Sequence, residues 1–294
     1  MQVFRISSFR FGLLGLSESD IPLNLLLFKD QTERKVDFCF HFHIVTRMPQ
    51  LDTEQWHPKY EKPNLSVWVR DNCLERRLLS INSTNDAYAV YEESDDRNAS
   101  IFFDKSHVEE LNIDTIFISC LALERHFAKS MNGLILHCAY LEYNNKAILF
   151  SGPSGIGKST HAKLWCQRFP GIQIINGDRC LLTKNDRKYY ANGWPICGSS
   201  QICMNRQMPI ASIVFLEQTP DNKIIQTSSL DLYKRLVSQI TINYWNPLSA
   251  VKSLDCLEKF IREVPACVYG CNMDKDAPIP LKEWIDTFII REYA

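Results

Sequence analysis

The sequence has no apolar run near the ~18 residues that a helix needs to cross a bilayer, so no membrane span is expected. It has no excess of one charge: 33 Lys and Arg stand against 34 Asp and Glu, a formal net charge of -1 at pH 7. The basic excess or stripe of a general nucleic-acid binder is missing. No Cys-x-x-Cys pair occurs, and the 11 cysteines are scattered. Cys120, Cys138 and Cys180 lie in apolar runs, where a reduced thiol packs as a small hydrophobe. That usage implies a reducing, cytoplasmic compartment rather than a disulfide framework. There is no internal repeat and no low-complexity tract. The first twenty residues carry Arg5 and Arg10 but lack the apolar core and cleavage site of a secretory leader, so they read as mature protein.

What is present is an ordinary globular balance. Hydrophobic residues make up 45% and charged residues 23% of 294, which excludes disordered and fibrous classes. The length suits one large domain or two modest ones. Residues 1–110 read as β-rich. Short apolar or alternating runs at Val3–Ile6, Val36–Val45, Leu65–Val69, Ala87–Tyr91 and Ile101–Phe103 are separated by polar, turn-forming clusters. The pattern suggests a small sheet or a sandwich. His41 and His43 alternate on one strand face, and both a metal pair and two half-buried strand histidines fit that spacing.

The character changes near Asn112. Apolar residues from Asp114 to Met131 recur at helical spacing, with Asp114 as N-cap and Gly133 as a stop. Two apolar runs follow, Leu134–Leu141 and Ala147–Phe150, joined by the turn Tyr143-Asn144-Asn145-Lys146. A helix is expected over Lys158–Phe169, and strands over Ile172–Ile175, Cys180–Thr183, Ser212–Leu216 and Ala266–Tyr269. Further helices are expected over Leu230–Ile240, Pro247–Val264 and Leu281–Arg291. The fold class is α/β, with a β-rich domain at 1–110 and a second domain at 111–294.

The strongest signal is Gly152-Pro153-Ser154-Gly155-Ile156-Gly157-Lys158-Ser159-Thr160, a complete G-x-x-x-x-G-K-[ST] between an apolar strand and a helix. Its glycines let the backbone approach a phosphate, and its N–H groups form an anion nest at a helix N-terminus. Lys158 is placed for the β- and γ-phosphates, Ser159 for Mg²⁺, and Thr160 opens the helix proper. A chance glycine turn is the bland alternative. Asp178 stands after the strand in Ile174-Ile175-Asn176-Gly177-Asp178-Arg179, at a strand end where α/β sites gather. It fits a metal ligand, a general base, or a turn aspartate paired with Arg179. Asn176 fits a holder of a metal-bound water or an Asx turn.

The segment LHCAYLEYNNKAILFSGPSGIGKST, with INGDR after the first helix, resembles the C-terminal catalytic domain of HPr kinase/phosphorylase. That family shares its P-loop fold, built on a mixed sheet, with phosphoenolpyruvate carboxykinases. The resemblance spans Gly133 to Val268, and it places His137 fifteen residues before Gly152. The block is also similar to stand-alone HPr-kinase-like proteins, some associated with peptide modification, in which segments like NGWPICGSS and IVFLEQ recur. The resemblance implies an ATP- and Mg²⁺-dependent kinase. Residues Gly152 to Thr160 would bind the triphosphate, and Ser159 and Asp178 the metal. Lys158, Asp178 and His137 would serve catalysis. The acceptor would be a serine-type hydroxyl of a peptide, protein or small molecule. A non-catalytic ATP-binding regulator and a carboxykinase-like lyase are the alternatives.

The sequence departs from the family at several points. Gly177 and Arg179 flank Asp178, so the family's aspartate pair is incomplete. The LRGLGIINV-like segment is absent, and Gly193–Ser200 stands in that region as a substrate loop or a plain turn. Arg206 fits either a phosphate-facing or a solvent-facing position. The HPr substrate and the hexamer are not carried over, and homo-oligomerisation stays open.

Overall fold

A computed structural model describes residues 1–70, 74–82 and 86–291. The architecture is mixed α/β, rich in strand, with two mixed sheets. By its contacts the chain divides into two compact units, Met1–Arg125 and His126–Ala294.

The first unit carries β1 (Gln2–Ile6), β2 (Phe9–Leu14), a single-turn α1 (Leu23–Leu26), β3 (Phe38–Val45), β4 (His57–Lys62), β5 (Leu65–Arg70), β6 (Leu74–Ser80), β7 (Ala87–Glu93) and β8 (Asn98–Asp104). The strands form one eight-stranded sheet, ordered β1-β2-β3-β8-β7-β6-β5-β4. It is a single sheet and not a sandwich. The pairings β2–β3 and β3–β8 are parallel. Strand β3 shows the period of two: Phe38, Phe40 and Phe42 are buried, while Cys39 and His41 are half-buried and His43 is exposed. His43 stacks on Phe102 with ring centroids 5.2 Å apart. Among the described residues no group of three or more His, Cys, Asp or Glu side chains could hold a metal.

The stripe from Asp114 to Met131 is two helices rather than the one expected. These are α2 (Asp114–Cys120) and α3 (Leu123–Met131). Ala122 adopts φ +46 between them, and its carbonyl accepts from the Arg125 N–H. The apolar stripe runs on through the break, since Leu121, Ala122 and Leu123 are all fully buried, so spacing alone does not reveal it. Ile113, not Asp114, occupies the cap position. Asp114 instead accepts a hydrogen bond from Asn24.

The second unit carries β9 (Leu134–Tyr143), β10 (Lys146–Ser151), α4 (Lys158–Arg168), β11 (Gln173–Asn176), β12 (Arg179–Asn185), β13 (Lys188–Asn192), β14 (Gln207–Gln218), β15 (Lys223–Ile225), α5 (Ser229–Val237), α6 (Pro247–Glu263), β16 (Ala266–Cys271) and α7 (Pro278–Arg291). The turn from β9 to β10 uses Asn144 and Asn145 at φ +49 and +57, the left-handed pair that a tight hairpin needs. The strand order is β10-β9-β12-β13-β14-β16-β15, with β11 also on β9. Strand β10 lies parallel to β14, and β14 parallel to β16.

Strand β10 is buried along its whole length, so it reads as a continuous apolar run rather than an alternation. Its side chains feed two cores. Ala147 and Leu149 join one with Leu236, Leu257 and Phe260. Ile148 and Phe150 join the other with Ala162, Trp165, Leu281 and Ile285. This clamps the strand on both faces and fixes where its C-terminal end, Ser151, delivers the glycine loop. Among the described residues no helix is long and apolar enough to cross a membrane.

Candidate functional site

The site lies where β10 runs through residues 152–157 into α4. Gly152, Gly155 and Gly157 have φ of +140, +80 and +107. Gly157 caps α4 in the left-handed region. A Cβ built there would land on the Met273 methyl, so both dihedral and space call for glycine. The helix begins at Lys158, two residues before Thr160, which is exposed. Pro153 and Ser154 are also exposed, and Ile156 is half-buried.

Lys158 is only 7% exposed. Its ammonium donates to the carbonyls of Gly152 (2.8 Å) and Pro153 (3.0 Å), so it is turned into the loop and not toward solvent. Burial lowers its pKa from the usual lysine value, and the charge of nearby Asp178 acts in the opposite direction. Ser159 reaches the Gly177 carbonyl with its hydroxyl at 3.5 Å.

Facing the loop are His137 and Asp178. Strands β9 and β12 pair antiparallel, with His137 opposite Arg179. His137 Nε2 lies 3.6 Å from Asp178 Oδ1, and Arg179 Nε lies 3.1 Å from Asp178 Oδ2. Burial lowers the His137 pKa and the charge on Lys158 lowers it further, while the Asp178 carboxylate raises it. The Ser151 hydroxyl donates to the His137 carbonyl at 2.8 Å, which ties the end of β10 to β9.

Asn176 resolves as an Asx turn. Its Oδ1 accepts from the backbone N–H groups of Asp178 (2.8 Å) and Arg179 (2.9 Å). Its Nδ2 donates to the carbonyls of Trp194 (2.8 Å) and Ile196 (3.0 Å), which the sequence does not foretell. The segment 193–200 is a loop with a buried stem. Gly193 through Cys197 are buried, while Gly198 and Ser199 are exposed at its tip. A Cβ on Gly198 would sit 3.1 Å from Asp178 Oδ1, and one on Gly177 would collide with Ser200. The loop therefore abuts the carboxylate. Arg206 does not join the cluster, because it bonds Glu142 at 3.0 Å and is half exposed. Met273, which packs on Gly157, carried no signal in the sequence.

One titratable group on α4 lies behind the loop. His161 is fully buried, and its Nε2 accepts from the Trp165 indole at 3.2 Å. Burial lowers its pKa to about 4. The unfolded chain binds that proton near pH 6.5, so this contribution to stability is complete above pH 6.5 and falls as pH drops toward 4. The loss amounts to about 3 kcal/mol. Urea unfolding at pH 7 and pH 4.5 is expected to show a smaller drop for His161→Gln than for the wild type. Equal drops in both would contradict the assignment.

The fold and site together define a mixed α/β protein with a glycine-rich loop at a helix N-terminus, faced by one carboxylate and one imidazole. Residues 103–257 match the family described as ScmC, SynChlorMet cassette protein ScmC. The match covers more than half of the 294 residues, and the chain belongs to this family. The family matched is therefore named differently from the HPr kinases that the segment around Gly152 resembles. Among solved structures, the chain is similar to the HPr(Ser) kinase/phosphatase from Coxiella burnetii, at 12% identity and a TM-score of 0.33. That likeness covers 54% of this chain and 92% of the other. No curated protein matches the chain.

Proposed function

We propose that this chain is an ATP- and Mg²⁺-dependent phosphotransferase that moves the γ-phosphate to a hydroxyl of a peptide, protein or small molecule. The observation that carries the reading is the buried Lys158 ammonium inside the positive-φ glycine loop, with Asp178 facing it. The loop fits a polyphosphate. Three glycines at positive φ leave the backbone uncovered, and a cation is already turned inward. Mg²⁺ would be held by the Ser159 hydroxyl and the Asp178 carboxylate, where it screens phosphate charge.

The chain's own groups do the rest. Phosphoryl transfer spreads charge over the equatorial oxygens of a loose transition state, so catalysis is mostly positioning and electrostatics. Lys158 and the loop amides stabilise that charge. Asp178 orients the acceptor hydroxyl and takes its proton. His137, with Nε2 3.6 Å from Asp178, supplies a second acceptor for that proton.

Asp178→Asn is expected to lower transfer by roughly 10²–10⁴-fold. Metal-free ATP affinity is expected to stay within about threefold of wild type. Calorimetry and single-turnover kinetics on the same preparation check this, and unchanged transfer would assign the base elsewhere. A second reading has one observation behind it. Arg179 already engages the lone carboxylate at 3.1 Å, which suits a protein that binds ATP and transfers nothing. ATP binding without product across a broad acceptor panel would favour that regulator.

A further inference from the structure

We propose that Asn176 is a positioning residue of this site: it sets the Asp178 carboxylate and fastens it to the loop at residues 194–196. The inference rests on the phosphotransferase reading. Asn176 is fully buried at the end of β11 and makes four hydrogen bonds with one carboxamide. A primary amide offers two N–H donors and an oxygen with two lone pairs. Both donors and both lone pairs are used. The partners also fix its orientation, since the two backbone N–H groups require the oxygen and the two carbonyls require the nitrogen.

An ordinary Asx turn needs only the oxygen half. The donor half reaches across to a segment eighteen and twenty residues away in sequence. Through it, the buried stem of the 193–200 loop is tied to the same side chain that shapes the Asp178 turn. The Asp178 carbonyl is held in turn by the Cys138 N–H at 2.9 Å, next to His137. The exposed loop tip at Gly198 stands against the carboxylate. Base, imidazole strand and loop are thus fixed to one another, and Asn176 is the side chain common to two of those links. Serine is too short to span both, and an ionised aspartate would face two carbonyls with negative charge.

The test uses the full chain with Asn176→Ala and Asn176→Asp beside the wild type, assayed for transfer from γ-labelled ATP. Asn176→Ala is expected to lower kcat for transfer about 10²-fold, the effect of a misplaced reacting group. ATP affinity by calorimetry is expected to stay within about threefold. Asn176→Asp keeps the oxygen half. It removes both N–H donors to Trp194 and Ile196. It is therefore expected to lower kcat as well, with ATP affinity again within about threefold of wild type. If the alanine variant does not fold, the split between kcat and ATP affinity in Asn176→Asp carries the test.

A wild-type kcat in Asn176→Ala would overturn the inference. So would parallel losses of kcat and ATP affinity in both variants, which would mean support of the fold alone. A wild type that transfers no phosphate would overturn the reading of the whole site, and this inference with it. The two failures are therefore distinct.

Discussion

Lys158→Ala is expected to lower phosphate transfer by about 10³-fold or more. The argument is electrostatic. The ammonium is 7% exposed and is held 2.8 Å and 3.0 Å from two loop carbonyls, so its charge acts in a poorly solvated place. Losing one preorganised donor from such a place costs roughly 10²–10³ in rate. On the phosphotransferase reading the donor is also a full charge, which would meet a polyphosphate. Alanine leaves the loop backbone able to bind an anion through its amides alone, so ATP affinity is expected to fall less than the rate. Single-turnover transfer with saturating ATP separates the two effects. Wild-type turnover in this variant would remove Lys158 from the mechanism.

Arg125→Ala is expected to destabilise the chain by about 3–5 kcal/mol, the cost of breaking a buried ion pair and leaving its partner uncompensated. Arg125 donates to Glu93 Oε1 and Oε2 at 2.6 and 2.8 Å, and to Glu75 Oε1 at 2.5 Å. Arg77 donates to the other oxygen of Glu75 at 2.9 Å and also to Glu124. The Tyr91 hydroxyl donates to Glu93 at 2.7 Å. Glu75, Glu93, Arg77 and Arg125 are all buried. The cluster joins β6 and β7 to the start of α3. Without Arg125, buried Glu93 loses the guanidinium that neutralises it, while Glu75 retains Arg77. The loss is a large part of the roughly 5–15 kcal/mol that holds a typical domain folded. Urea unfolding followed by circular dichroism reads it. A change below about 1 kcal/mol, the size of an exposed pair, would show that the cluster is solvated in solution.

That cluster also shows why parts of the fold escape the sequence. Strand β6 places Glu75, Arg76 and Arg77 inside, where a hydropathy pattern expects solvent. Arg77 pairs with Glu75 on the same strand, but the other partners, Glu93, Glu124 and Arg125, and Glu92 for Arg76, are distant in sequence, so no spacing announces them. Strand β4, His57–Lys62, is exposed along an edge and has no alternation to detect. By contrast, local chemistry makes the β9–β10 turn legible through Asn144 and Asn145. The strand, glycine loop and helix around Lys158 are legible for the same reason, because each demand falls on neighbouring residues. At Asn176 the legible half is the Asx turn to Asp178 and Arg179. The half that ties it to Trp194 and Ile196 depends on how β11 and the 193–200 loop come together, which no spacing encodes. The break at Ala122 is hidden in the same way, because burial continues across it.

The most direct test of the phosphotransferase reading is incubation of the purified protein with Mg²⁺ and γ-labelled ATP, with and without a lysate of its own host, beside Lys158→Ala. Label is followed by gel and mass spectrometry. The expected result is label on a discrete protein, peptide or metabolite with the wild type, and none with the variant. Tight ATP binding by calorimetry with no label on any acceptor would contradict the phosphotransferase and leave a nucleotide-binding regulator in its place.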